Sequence, residues 1–187
     1  MKRVLVAALV LFGFLGQAAA DVVGFTGAFA PSQWTRAAGD GSILFNQTRI
    51  RLNGGDDGAE SFTDAYIVLD RDWTISFDWN YRTFDADGPF YDPFGMLTSD
   101  TDLASALFTQ LTDDDGPNRQ NGSYTYFAEE GTLFGFRQWS LDGTNGNAFG
   151  RITNFSAQAV PEPGTLGLLA AALIAAGLAT SRRRRQA

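Results

Sequence analysis

Trp73-Thr74-Ile75-Ser76-Phe77-Asp78-Trp79-Asn80-Tyr81 puts a large apolar side chain at every odd position and a polar one at every even position. A period of two held over nine residues describes a strand with one dry face and one wet face. Wound as a helix, the same residues would scatter their aromatics around the whole circumference. Shorter runs of strand character lie at 42–52, 65–69, 107–111, 123–127, 132–141 and 148–155. Turn clusters separate them: Asn53-Gly54-Gly55-Asp56-Asp57-Gly58, Asp113-Asp114-Asp115-Gly116-Pro117-Asn118 and Asp142-Gly143-Thr144-Asn145-Gly146-Asn147. Only 102–111 reads as a turn or two of helix. Many short strands with Gly, Asp and Asn turns specify an all-β fold, a jelly-roll or lectin-like β-sandwich. Most of the sixteen phenylalanines fall between the two chain ends and supply its core. Trp34, Tyr91 and Trp139 are the candidates for exposed sugar-stacking rings.

The ends read differently. Lys2 and Arg3 precede an apolar run at 4–15, and Ala18-Ala19-Ala20 offers a small-residue cleavage site (Ala18, Ala20) before Asp21. This is the pattern of a secretory signal peptide, residues 1–20. At the other end no charge occurs from Gly164 to Thr180, after which come Arg182, Arg183, Arg184 and Arg185. About 17 residues at ~1.5 Å rise give a helix of roughly 25 Å, just adequate for a transmembrane helix over about 164–181. The arginines are costly to translocate and act as a stop-transfer cluster on the cytoplasmic side. Pro161-Glu162-Pro163-Gly164 excludes helix or paired strand in between and leaves the chain extended and accessible. Three segments follow: 1–20, a β-sandwich domain at 21–159, and a tail at 160–187.

Pro161-Glu162-Pro163, the adjoining apolar helix and the terminal arginines resemble the PEP-CTERM sorting signal of Gram-negative bacteria. The resemblance covers about the last 28 residues. It implies recognition and cleavage near Pro161, Glu162 and Pro163 by an exosortase, a membrane-embedded transpeptidase-like enzyme. It also implies transient anchoring in the inner membrane after Sec export, with the body in the periplasm, and then a place at the cell surface or outside the cell. Proteins of this type often accompany exopolysaccharide synthesis and biofilm formation. The stretch from Arg82 to Gly95 also resembles a loop of exported bacterial β-sandwich proteins with this same tail. The stretches from Phe134 to Gly143 and from Ile152 to Ser156 look like its companion strands.

Composition excludes several chemistries. The chain has no cysteine and no histidine. Thiol nucleophiles, Ser-His-Asp triads, and most zinc and copper sites are therefore absent. Lys2, Arg3 and Arg182 to Arg185 account for six of the 14 basic residues, so the segment between them sets eight arginines against all 21 acids. Such a body repels DNA, and no nucleic-acid partner is expected. No cofactor is expected: Asp85, Asp87 and Asp92 read first as ordinary loop aspartates and turn caps, and as the candidate ligands for Ca²⁺ in the alternative. The EF-hand pattern fails. A glycosidase needs two carboxylates about 5–9 Å apart. Adjacent Glu129 and Glu130 would point to opposite faces of a strand, and Asp78 is an arbitrary partner. Asn46, Asn121 and Asn154 sit in N-x-Ser/Thr triplets that a bacterial chain meets by chance. The expected role is a non-enzymatic surface or matrix component, structural or adhesive, with extracellular polysaccharide as the partner. The alternatives are a carbohydrate-binding module, with or without Ca²⁺, and a glycoside hydrolase.

Overall fold

A computed structural model describes residues 21–100, 102–161 and 172–173. The predicted signal cleavage at Ala18 and Ala20, the residues Glu162 and Pro163, and the arginines Arg182, Arg183, Arg184 and Arg185 lie outside the described residues, as does nearly all of the predicted membrane helix. Among the described residues no helix is long and apolar enough to cross a membrane.

Eleven strands run through the body: β1 Val22–Val23, β2 Thr35–Ala37, β3 Ser42–Asn46, β4 Arg49–Asn53, β5 Ser61–Val68, β6 Trp73–Thr83, β7 Phe94–Ser99, β8 Leu107–Gln110, β9 Arg119–Ala128, β10 Leu133–Ser140 and β11 Ala148–Ala159. They form two antiparallel sheets. One has the order β3-β4-β11-β6-β9, with β1 beside the second half of β11, and the other the order β2-β5-β10-β7-β8. This is the expected all-β sandwich of jelly-roll type, and the period-two segment forms most of its longest central pairing. Trp73, Ile75, Phe77, Trp79 and Tyr81 all turn into the core.

The core explains how the body dispenses with disulfides. Phe25, Phe29, Phe77, Phe94, Phe134, Phe136 and Phe155 are all fully buried. Phe25 stacks on Phe155 at 4.6 Å, and Phe77 meets Phe136 edge-on at 4.9 Å. Such pairs add about 0.5–1.5 kcal/mol each beyond their area. Trp34 belongs to this cluster: it is 6% exposed, lies parallel to Phe136 at 6.1 Å, and its indole N–H donates to the Phe29 carbonyl at 3.1 Å. It is a core residue and not a stacking platform.

Two local expectations change, and one strand is irregular. The run 42–52 is a hairpin, not one strand. Asn46 Oδ1 accepts from the Thr48 N–H at 2.9 Å, the Thr48 hydroxyl at 2.9 Å and the Arg49 N–H at 3.1 Å, folding the chain between β3 and β4. The expected helix at 102–111 is one 3₁₀ turn, Leu103–Ser105, followed by β8, because the apolar residues suffice for a strand edge and not for a helical face. Strand β11 bulges between Thr153 and Ser156, where Asn154 takes a positive φ of 50°.

Candidate functional site

Strand alternation sends one side of each strand into the core and the other outward. In β10, Phe134 and Phe136 belong to the core cluster, so Leu133, Gly135, Arg137 and Trp139 face away from it. Register then fixes their neighbours. Trp139 lies opposite Phe62, Arg137 between Asp64 and Gly95, and Gly135 between Tyr66 and Leu97. Leu97 in turn faces Phe108 on β8. The outer face of the five-stranded sheet is therefore aromatic, not polar.

The rings on this face touch. Trp139 and Phe62 stand 5.2 Å apart with planes tilted by 43°, and Phe108 meets Trp139 edge-on at 5.8 Å. Trp139 Nε1 donates to Glu60 at 3.1 Å, which fixes the indole plane. Two glycines make room. A Cβ on Gly135 would come within 2.6 Å of Tyr66 Cβ, and one on Gly95 within 2.6 Å of the Phe108 ring. The Phe108 ring therefore lies over the bare backbone of Gly95, and β5 approaches β10 closely at Gly135. Leu97 and Leu133 are buried although they stand outside the core cluster, so side chains on the outer face itself cover them. At the centre Arg137 grips Asp64 with two parallel bonds, Nε to Oδ1 at 2.8 Å and Nη2 to Oδ2 at 2.7 Å. Its guanidinium also lies 4.2 Å from the centre of the Phe62 ring. Tyr66 borders an open cleft of about 480 Å³ that runs past Phe29, Thr35, Val68 and Asp70.

Apolar ring faces beside a fixed charged pair suit a ligand with both C–H faces and hydroxyl edges, which is the chemistry of a sugar. Of the three candidate rings, Trp139 is on this face. Tyr91 is half-buried on the 3₁₀ turn Pro89–Tyr91, 5.0 Å from Phe90, and its carbonyl accepts from the Leu141 N–H at 2.8 Å. Phe62, Tyr66 and Phe108 were not singled out in the sequence. Their signal was outward parity on strands whose register only the folded sheet reveals.

The acidic loop residues behave differently from one another. Asp85 and Asp92 are buried, whereas Asp87 is exposed and accepts from Asn145 Nδ2 at 3.2 Å. Asp92 accepts from the Thr83 hydroxyl at 2.9 Å and the Ser140 hydroxyl at 3.3 Å. Burial, reinforced by Asp85 and Asp142, pushes the Asp92 carboxyl up to about 7. Burial likewise raises Asp85. Among the described residues no group of three or more carboxylates gathers as a metal ion requires. Glu129 and Glu130 occupy the turn between β9 and β10, where the Glu130 N–H donates to Asp72 at 2.8 Å. Asp78 pairs with Ser123, six residues before Glu129, so the two acids are separated by roughly 20 Å along the strand. That is too far for a shared glycosidic bond.

The tail resolves by sequence. Residues 159–185 match the PEP-CTERM protein-sorting motif. The chain carries a PEP-CTERM sorting signal. Its PEP-CTERM segment begins as β11 ends, with the Val160 N–H still donating to the Asp72 carbonyl at 3.0 Å. No curated protein matches the chain in sequence. Among solved structures, the body is similar to a family 29 carbohydrate-binding module complexed with mannohexaose, at 10% identity and a TM-score of 0.43, over 75% of this chain and 92% of that one. A second family 29 module, from Piromyces equi, has 12% identity and a TM-score of 0.40 over 75% and 91%. A family 61 module in complex with β-1,4-galactotriose has 15% identity and a TM-score of 0.39 over 73% and 94%.

Proposed function

We propose that this PEP-CTERM protein is exported, processed at Pro161-Glu162-Pro163 by an exosortase, and held at the cell surface or in the extracellular matrix. There its sandwich binds polysaccharide through the outer face of the five-stranded sheet and serves a structural or adhesive role in a biofilm. The observation that carries the binding role is the contiguous strip Phe62–Trp139–Phe108, packed ring to ring around a bidentate Asp64–Arg137 pair. Half-exposed rings in mutual contact lose little conformational freedom when a sugar stacks on them. Asp78 and Glu129 stand too far apart to share a glycosidic bond, and binding without cleavage is the reading we favour.

The test is binding of the body, residues 21–159, to a panel of neutral and acidic polysaccharides by affinity electrophoresis. Trp139→Ala should weaken binding to the recognised glycan about tenfold, the equivalent of one stacking contact of roughly 1.4 kcal/mol. Phe62→Ala should weaken it as well, with thermal unfolding of both variants close to wild type. Unchanged affinity in both variants would remove this face from the proposal.

A further inference from the structure

The opposite side of the molecule has a different character. Five of the eight arginines in the body lie on the outer face of the six-stranded sheet. Ile50 and Leu52 turn inward from β4, so Arg49 and Arg51 turn outward. The same parity exposes Arg82 on β6, Arg119 on β9 and Arg151 on β11. Register gathers them. Arg51 stands directly opposite Arg151, and Arg82 directly opposite Arg119. Phe149 and Asn80 lie between the two pairs, with Phe149 facing Arg82 and Arg151 facing Asn80. Strands ~4.8 Å apart and alternate residues ~6.7 Å apart confine all five to a patch roughly 14 Å on a side.

Like charges placed directly opposite each other destabilise a sheet. Among the described residues none of the five forms an ion pair. The described residues contain two ion pairs, Arg71–Asp70 and Arg137–Asp64, and neither is on this face. The one carboxylate on it, Asp78, is engaged by Ser123 at 2.6 Å and Asn154 at 2.7 Å. Arg51 is spread over the Phe149 ring at 3.8 Å, and its Nε donates to Asn53 at 2.8 Å. Burial and the charges of Arg151 and Arg49 make its proton easier to lose than usual. Arg151 Nε is buried and donates to no protein atom. In a body with 20 acids and eight arginines, five arginines set against one another with only Asp78 among them form a preorganised excess of positive charge.

The rest of the face is amides and hydroxyls. Asn80 faces Asn121, and Ser76 shares a hydrogen bond with Thr125 at 2.9 Å. Guanidinium groups bind carboxylates and sulfates bidentately, and the amides and hydroxyls suit sugar hydroxyls. We propose that the outer face of the six-stranded sheet binds an anionic polysaccharide carrying carboxylate or sulfate groups. This goes beyond the stacking role of the aromatic face. With both faces occupied, one molecule bridges two polymer strands. A nucleic acid is the less suitable polyanion because the surrounding acids repel its denser charge.

The experiment uses the body, residues 21–159, against polygalacturonate, against the same polymer with its carboxyls reduced to alcohols, against duplex DNA, and against vesicles containing anionic lipid. Wild type should retard with polygalacturonate at low salt and lose that binding as salt rises. It should bind the reduced polymer at least tenfold more weakly. Arg51→Gln with Arg151→Gln should cost at least tenfold in polygalacturonate affinity, and Arg82→Gln with Arg119→Gln a similar factor. Both double variants should unfold at or above the wild-type temperature, since repulsion has been removed. Trp139→Ala should leave polygalacturonate binding intact, which separates failure of this face from failure of the aromatic one. The proposal is overturned by salt-independent binding, by variants that bind as wild type does, or by tighter binding to DNA or vesicles than to polygalacturonate.

Discussion

At the scale of single residues, Asp92 sets a pH dependence that runs opposite to acid denaturation. Its carboxyl is buried beside Asp85, and its folded-state value rises to about 7. In the unfolded chain an aspartate titrates near 4. Between about pH 4 and 7 the folded protein holds a proton that the unfolded chain has released. Stability from this group is therefore full below pH 4, falls as pH rises to about 7 by up to roughly 1.4 kcal/mol per pH unit, and is flat above. Asp78 acts in the other direction, since the bonds from Ser123 and Asn154 hold it below the usual range, so it titrates outside that window. The expected outcome is that Asp92→Asn gains stability over wild type at pH 7.5 and loses that advantage at pH 4.5, read from urea midpoints at both values. A constant difference between the two proteins would contradict the assignment.

At the scale of strands, β11 and β7 show where the two sheets press together. Gly150 faces the core from β11, and a Cβ built there would overlap the ring of Phe94 at the start of β7. Phe94 is fully buried and has no free space to retreat into. Gly150→Ala should therefore cost about 1–3 kcal/mol by overpacking, measurable as a lower urea midpoint with an unchanged slope. The strands differ in how far the sequence announced them. β6 was legible from Trp73 to Tyr81 because its outer face is wet and its inner face aromatic. β7 was not, because Phe94, Gly95, Met96 and Leu97 are buried on both sides, which erases the period of two. Trp139 could be singled out as a lone large ring on an amphipathic strand. Its partners Phe62 and Phe108 come from β5 and β8, and no local pattern joins them. The arginine face was equally hidden, since Arg49, Arg51, Arg82, Arg119 and Arg151 never form a charge run and meet only through register. Asp85, Asp87 and Asp92 were grouped because they are close in sequence, yet the chain turns Asp87 outward and buries the other two.

At the scale of the whole molecule, the proposal assigns placement to the C-terminal motif and contact to the sandwich. Processing at the motif predicts a mature extracellular form that lacks Arg182, Arg183, Arg184 and Arg185, checked by intact mass of protein recovered from the culture medium. Retention of those arginines would leave the sandwich as a cargo anchored by its own tail. The order of the strands adds one more consequence. β11 is the last strand in the chain, yet it lies in the middle of its sheet, flanked by β6 on one edge and by β4 and then β1 on the other. A chain emerging N-terminus first cannot finish that sheet until residue 159 is free. The pairings of β11 with β4 and β6 therefore close last, just as the sorting motif at 159–185 follows in the chain.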